Sequence, residues 1–225
     1  MSDQKENWSN QYQKHIKKQV YPTEWVVRTI AGGAYPNLKL DKGLYIGKKI
    51  LDMSCGDGRN LQLLLDMGFE VYAAEISEEI ISPLKDKYPH VKFAVGLNNK
   101  QPFENKYFDY ILSCSACYYL EADTNFQDNL NEIVRILKPD GYFFGNIPDL
   151  TNSVVSNAIV DDLGAALITN DPFNLRNNYR FQVYSNKNDL TKALSFVFKN
   201  ISIGSFIEDF YGLTVSGYMF VAQRI

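Results

Sequence analysis

Apolar residues recur at helical steps near the start of the chain. Trp8, Tyr12, Ile16 and Val20 fall on one face of a predicted helix. Tyr21-Pro22 interrupts that pattern, and Pro22 suits the opening of a second helix. Trp25, Val26 and Ile30 give this helix its apolar side, and Gly32-Gly33 ends it. Residues 1–45 therefore read as a helical cap, followed by a main domain over 46–225. From Lys49 the period changes. Lys49–Met53, Phe69–Ala74, Val91–Val95, Phe108–Ser113 and the segment opening at Tyr142 read as short buried strands. Helical stripes separate them: Leu61, Leu64 and Leu65, then Glu78–Tyr88 despite Pro83, then Phe126, Leu130, Ile133, Val134 and Leu137. Strands alternating with helices predict an α/β fold with a mostly parallel sheet.

Residues 149–185 break this rhythm. A helix is expected over about Val154–Ile168, followed by a polar loop with Pro172, Arg176 and Arg180. An insertion of this length in a compact domain suggests a lid over a substrate. A helix near Leu190–Phe198 restores the rhythm. Two strands follow, Ile201–Ile207 and Val215–Ala222, with Gly212 between them, so they are expected to pair antiparallel.

Composition narrows the function. Of 225 residues, 45% are hydrophobic and 22% charged, as in a globular chain. The formal net charge is −3, and the nearest basic run, Lys14-His15-Ile16-Lys17-Lys18, reads as the wet face of a helix. A nucleic-acid partner is therefore not expected, because phosphate contact needs a basic stripe. No secretory leader and no membrane-length apolar run is visible, which predicts a cytoplasmic protein without a membrane partner. Cys55, Cys114 and Cys117 lack disulfide spacing and fit a reducing compartment. Cys114-Ser115-Ala116-Cys117 has the C-x-x-C form, but no second Cys or His cluster completes a metal site. No metal is expected, and oligomeric state is not legible.

The strongest signal is Ile50-Leu51-Asp52-Met53-Ser54-Cys55-Gly56-Asp57-Gly58-Arg59-Asn60, an apolar strand running into a small-residue turn that opens a helix. Such a loop lies at the carboxyl end of a parallel sheet, where ligands bind. Glu75 ends the next strand, roughly 20 residues on, where a carboxylate can accept from ribose hydroxyls. A dinucleotide fingerprint would need glycine where Ser54 and Arg59 stand. An acidic residue followed by small-x-Gly-x-Gly fits instead, through Asp52, Ser54, Gly56 and Gly58.

With this loop in place, the chain resembles the class I S-adenosylmethionine-dependent methyltransferases, in particular their small-molecule branch, over about residues 46–147. Further segments match in order: Val95-Gly96-Leu97-Asn98-Asn99, Pro102 to Asp109, and Ile136-Leu137-Lys138-Pro139-Asp140-Gly141-Tyr142. The resemblance implies a Rossmann-like, mostly parallel seven-stranded sheet with helices on both faces and the last strand antiparallel. It implies S-adenosylmethionine as cofactor and S-adenosylhomocysteine as product. Asp52 and the Ser54-Cys55-Gly56 backbone would hold the methionine end. Glu75 would hold the ribose, and Ile76 would lie against the adenine. Asn98 would serve the adenine edge where the family has Asp and this chain has Leu97. Ser113 and Cys114 would pass the methyl donor. Tyr21 and Arg28, in the cap, would meet the methionine carboxylate. Ser54 replaces the family's first glycine, so its backbone is expected to avoid glycine-only conformations.

For the acceptor, Tyr118 and Tyr119 follow the fourth strand, and Arg176, Tyr179 and Arg180 form a cluster suited to an acidic group. His15, Tyr118, Tyr119 and Asp149 are the candidates for a general base. The expected function is methyl transfer to an oxygen or nitrogen of a metabolite or sugar or cell-surface precursor. Three other readings stay open: methylation of a protein or nucleic acid, a dinucleotide-dependent oxidoreductase, and a silent cofactor-binding protein.

Overall fold

A computed structural model describes residues 2–13, 19–33, 35–43 and 45–225. Two helices come first, α1 (Ser2–Gln13) and α2 (Glu24–Ile30). Alternating elements follow: β1 (Lys49–Met53), α3 (Leu61–Asp66), β2 (Glu70–Glu75), α4 (Glu78–Lys87), β3 (Lys92–Val95) and β4 (Phe108–Ser113). After the short β5 (Tyr119–Leu120) come α5 (Phe126–Ile136) and β6 (Leu137–Pro148). The chain continues through β7 (Ile159–Val160), β8 (Ala165–Leu167), β9 (Arg180–Gln182), α6 (Lys187–Ser195), β10 (Phe198–Phe210) and β11 (Leu213–Arg224).

The main sheet has seven strands in the order β10-β11-β6-β4-β1-β2-β3. β3, β2, β1, β4 and β6 pair in parallel. β11, the last strand, runs antiparallel to both β6 and β10 and sits between them. This is the Rossmann-like methyltransferase sheet that the resemblance implied.

Period-two alternation builds a core on each face of the sheet. Leu51, Tyr72, Ile111 and Phe143 point to one face, where Leu130 and Ile133 of α5 and Leu190 and Leu194 of α6 cover them. Ile50, Val71, Leu112 and Phe144 point to the other, under Val26 and Ile30 of α2, Leu61 and Leu64 of α3 and Leu84 of α4. The α5 stripe starts from a full capping box, in which the Asn125 side chain accepts from backbone and Asp128 reaches back to the Asn125 N–H. Pro139-Asp140-Gly141 is not a separate turn. It forms an irregularity inside β6, with Asp140 at φ +61° and a register shift against Phe108 and Tyr110 of β4.

The expected helix over Val154–Ile168 does not form. Residues 151–157 make turns, and β7 and β8 form a hairpin instead. Gly164 turns at φ +80°, and Asp161 accepts from the N–H groups of Leu163 and Ala165, both at 2.9 Å. This local Asp–Gly turn chemistry outweighs the helical spacing of the apolar residues. β7, β8 and β9 join β5 in a second antiparallel sheet, order β5-β9-β8-β7. Among the described residues, no helix is long and apolar enough to cross a membrane.

Packing leaves no space at Gly145 of β6, where an added Cβ would stand 2.5 Å from Cζ of the buried Phe220. Gly145→Ala is expected to lower stability by about 1–3 kcal/mol, since neither ring nor strand can give way. Urea unfolding at unchanged m-value measures it, and a loss below experimental error would refute the packing described.

Candidate functional site

The loop from β1 to α3 turns through three left-handed residues: Ser54 at φ +60°, Gly56 at +57° and Gly58 at +71°. Ser54 thus enters the region it was expected to avoid. A serine there is strained, and a hydrogen bond holds it: its Oγ donates to Asn98 Oδ1 at 3.1 Å. Glu75, at the end of β2, closes the loop. Its Oε1 accepts from the Gly56 N–H at 3.0 Å and its Oε2 from the Ile76 N–H at 2.7 Å. The Asn60 side chain accepts from Thr23 N at 3.0 Å, tying the start of α2 to the same loop.

Beside the loop, at the carboxyl ends of β1, β2 and β4, lies a cavity of about 440 Å³. That size suits a small organic ligand. One wall is Asp52, Ser54, Cys55, Gly56, Glu75, Ile76 and Asn98, with Cys114 beyond. The other is Tyr118, Tyr119, Arg176 and Tyr179, from the β4–β5 segment and the insert. Lys5, Trp8, Gln11 and Tyr12 of α1 complete the enclosure. Tyr12 lies so close to the loop that a Cβ on Gly56 would meet its hydroxyl at 2.6 Å. Trp8 stacks on Tyr12 and meets Tyr119 edge-on, with centroids 5.5 and 6.2 Å apart.

The loop wall is acidic. Asp52 is 1% exposed, and its Oδ2 has no hydrogen-bond partner among the described residues. Burial pushes its carboxyl up to about 8, with Glu75 and Asp57 adding repulsion. Burial also raises the Glu75 carboxyl, against the lowering effect of its two backbone N–H bonds. Asp57 is neutralised by Arg59 at 2.7 Å. An orphaned acceptor beside a second buried carboxylate suits a ligand that brings positive charge and donors, as the sulfonium and ammonium of S-adenosylmethionine do. On the facing wall, burial raises the Tyr118 hydroxyl well above its usual range and raises that of Tyr119. Both stay protonated at neutral pH, and the Tyr119 hydroxyl oxygen accepts from Arg176 Nε at 3.2 Å.

Residues 51–145 match the methyltransferase domain family. Over this stretch, which is less than half of the chain, the sequence is similar to class I S-adenosylmethionine-dependent methyltransferases. It is 31% identical over 106 residues to the phthiotriol/phenolphthiotriol dimycocerosates methyltransferase of Mycobacterium tuberculosis, covering 43% of this chain and 36% of that one. It is 28% identical over 97 residues to a methyltransferase of Synechocystis, covering 43% and 45%. The match thus spans less than half the length of these curated relatives. A crystal structure of a Pyrococcus horikoshii protein is similar over 93% of both chains at 26% identity and TM-score 0.59. The Burkholderia thailandensis 1,6-didemethyltoxoflavin-N1-methyltransferase, with its substrate and S-adenosylhomocysteine bound, shares the fold at 19% identity and TM-score 0.57, over 80% of this chain and 72% of that one.

The residues expected at the site divide. Asp52, Ser54, Cys55, Gly56, Glu75, Ile76, Asn98, Cys114, Tyr118, Tyr119, Arg176 and Tyr179 all reach the cavity. Asn98, however, spends its amide donors on the carbonyls of Ala116 (2.8 Å) and Tyr119 (3.3 Å). It braces the loop against the segment after β4, and only acceptor capacity is left for a ligand. Ser113 is fully buried off the cavity wall. Tyr21 is 70% exposed and also off the wall. Arg28 faces solvent and pairs with Glu24 at 2.7 Å, one turn away. Arg180 points away from the cavity, to the Thr124 carbonyl at 3.4 Å. Asp149 is not a base at this site: its Oδ1 accepts from Thr151 and Ser216 at 2.7–2.8 Å, away from the cavity. His15 lies outside the described residues. Cys117 is buried, and its thiol is pushed up to about 12, so it behaves as a small apolar residue. Sequence reasoning placed Trp8 and Tyr12 in a helix but not at the site. Their four-residue spacing was the available signal.

The raised Asp52 carboxyl has a consequence for stability. An unfolded chain titrates this group near 3.8, the folded one near 8. The folded state therefore holds the extra proton between those values, and stability falls as pH rises through them, then levels off. Asp52→Asn should remove that fall, so at pH 8 the ligand-free variant should melt above the parent protein, by on the order of 10 °C, with the gap closing towards pH 4. Scanning calorimetry across this range checks it, and a variant that melts lower at pH 8 contradicts it.

Proposed function

We propose that the protein transfers the methyl group of S-adenosylmethionine to an oxygen or nitrogen atom of a small-molecule acceptor. One observation carries this reading: a cavity whose acidic wall is the small-residue loop after β1 with Glu75, and whose opposite wall is aromatic and built from other parts of the chain. Asp52 would take the charged methionine end, with the Ser54-Cys55-Gly56 backbone around it. Glu75, already fixed by two backbone donors, would offer its remaining lone pairs to the ribose. Ile76 would lie against the adenine, and Cys114 would face the methyl donor.

The bound cofactor supplies a methyl already activated for in-line displacement: a bond from the acceptor to carbon forms as the carbon–sulfur bond breaks, and the electron pair stays on sulfur. The protein's part is alignment and exclusion of water. Trp8 and Tyr12 close the cavity from above, while Tyr118 and Tyr119 direct hydroxyl donors towards acceptor oxygens or nitrogens. Because their protons are held tightly, neither tyrosine serves as a ready base, which favours an acceptor atom that is already nucleophilic. The insert at 149–185 and α1 act together as the lid. The Burkholderia enzyme's bound 1,6-didemethyltoxoflavin supports a small-molecule acceptor, and three cysteines without disulfide spacing support a cytoplasmic setting.

Calorimetric titration with S-adenosylmethionine, S-adenosylhomocysteine and NAD tests the cofactor assignment. Both sulfur compounds should bind, NAD should not, and Glu75→Ala should weaken the sulfur compounds by about tenfold or more. Binding of NAD alone would overturn the reading.

A further inference from the structure

Arg176 stands in the wall opposite the cofactor loop, and its surroundings are more elaborate than a loop contact requires. The segment between β8 and β9 folds around Asp171, whose carboxylate is fully buried. Asp171 accepts from the backbone N–H groups of Phe173 (3.0 Å), Leu175 (3.0 Å) and Arg176 (2.9 Å), and from Arg176 Nη1 at 3.2 Å. Its charge is thus spread over three amides as well as the guanidinium, and it neutralises Arg176 only in part. The rings of Trp8 and Phe173 lie against the guanidinium at 5.4 and 5.7 Å, and Arg176 Nε donates to Tyr119 Oη at 3.2 Å. Orientation is therefore set by four different groups. Arg176 Nη2 has no hydrogen-bond partner among the described residues, and the side chain keeps 22% of its surface, on the cavity it lines.

The cavity is also polarised. Asp52 and Glu75 lie on the cofactor side, and Asp57 is cancelled by Arg59. Arg176 and Lys5 are the other cations on the wall, and Glu121 is the remaining anion. Beside Arg176 the surface is aromatic: Tyr119 meets Tyr179 at 5.7 Å and Trp8 at 6.2 Å, both edge-on. We propose that Arg176 is a specificity determinant for the methyl acceptor, selecting a flat molecule that bears a carboxylate or phosphate group. The anion meets the edge of the guanidinium, where a planar fork matches two oxygens, and the flat body lies among Trp8, Tyr119 and Tyr179. This deepens the methyl-transfer reading and rests on it.

The experiment uses the full chain saturated with S-adenosylhomocysteine. Two probe pairs are titrated, 4-hydroxybenzoate against its neutral methyl ester, and phenyl phosphate against phenol. The anionic member of at least one pair should bind about tenfold tighter, and which pair responds tells carboxylate from phosphate. Arg176→Gln should erase that ratio while leaving the neutral probes and S-adenosylhomocysteine unchanged. Arg176→Lys, which keeps the charge without the fork, should retain part of it. A merely structural clip would weaken charged and neutral probes alike. Equal binding of both members of each pair, no binding of either anion, or a ratio that survives in Arg176→Gln would overturn the proposal. If both variants fail to fold, the ratio in the parent protein decides it. Failure of S-adenosylhomocysteine itself to bind would overturn the methyl-transfer reading and this proposal with it, whereas its binding without anion discrimination overturns this proposal alone.

Discussion

The carboxylate of Glu75 holds the carboxyl edge of the sheet in its working shape. Its two oxygens take the N–H groups of Gly56 and Ile76, so one side chain fixes both the cofactor loop and the turn into α4. A buried carboxylate is costly unless it is bonded, and those two donors offset that cost. With Gly56 pinned, the loop passes through successive left-handed residues, and Ser54 is carried into one of them. Its hydroxyl then finds Asn98, and Asn98 in turn grips the carbonyls of Ala116 and Tyr119. The chain of contacts runs from β2 through the loop to the opposite wall of the cavity.

That continuity joins two parts of the molecule with different jobs. The acidic, orphan-bearing wall comes from the stretch that matches the methyltransferase domain family. Of the aromatic and cationic elements facing it, Trp8, Tyr12, Arg176 and Tyr179 come from α1 and the insert, outside that stretch, while Tyr118 and Tyr119 lie within it. On the proposed reading, cofactor binding belongs to the shared fold and acceptor choice to what is added to it, so the acceptor side could vary while Asp52 and Glu75 stay in place.

The sheet was largely legible because its strands are buried on both faces and alternate between two cores, a constraint written directly into runs such as Ile50–Met53 and Phe108–Ser113. The turn after β1 was legible for a related reason, since small residues directly after a buried strand mark a tight turn at the carboxyl edge of the sheet. Ser54 was misjudged because its conformation depends on a partner 44 positions away, Asn98, and local propensity does not see such partners. The insert was misread as a helix because apolar spacing was weighed above the Asp161–Gly164 turn. Tyr21, Arg28, Arg180 and Asp149 carry chemically suitable groups, but their placement depends on how surface segments pack, and each found a nearer partner or solvent. Trp8 and Tyr12 show the converse: an ordinary amphipathic stripe whose apolar face also lines the cavity.

The position of β11 bears on the order in which the sheet assembles. β10 precedes it in the chain but lies farther out, so β10 has no place in the sheet until β11 occupies the gap beside β6. The two strands are joined by a tight turn at Tyr211-Gly212. They can zip together locally before docking, whereas the contact of β11 with β6 spans a long stretch of chain and closes late. Until then the edge of β6, carrying Phe143 and Phe144, is an open template for any other strand. The hairpin that ends the fold is thus also what seals its most adhesive edge.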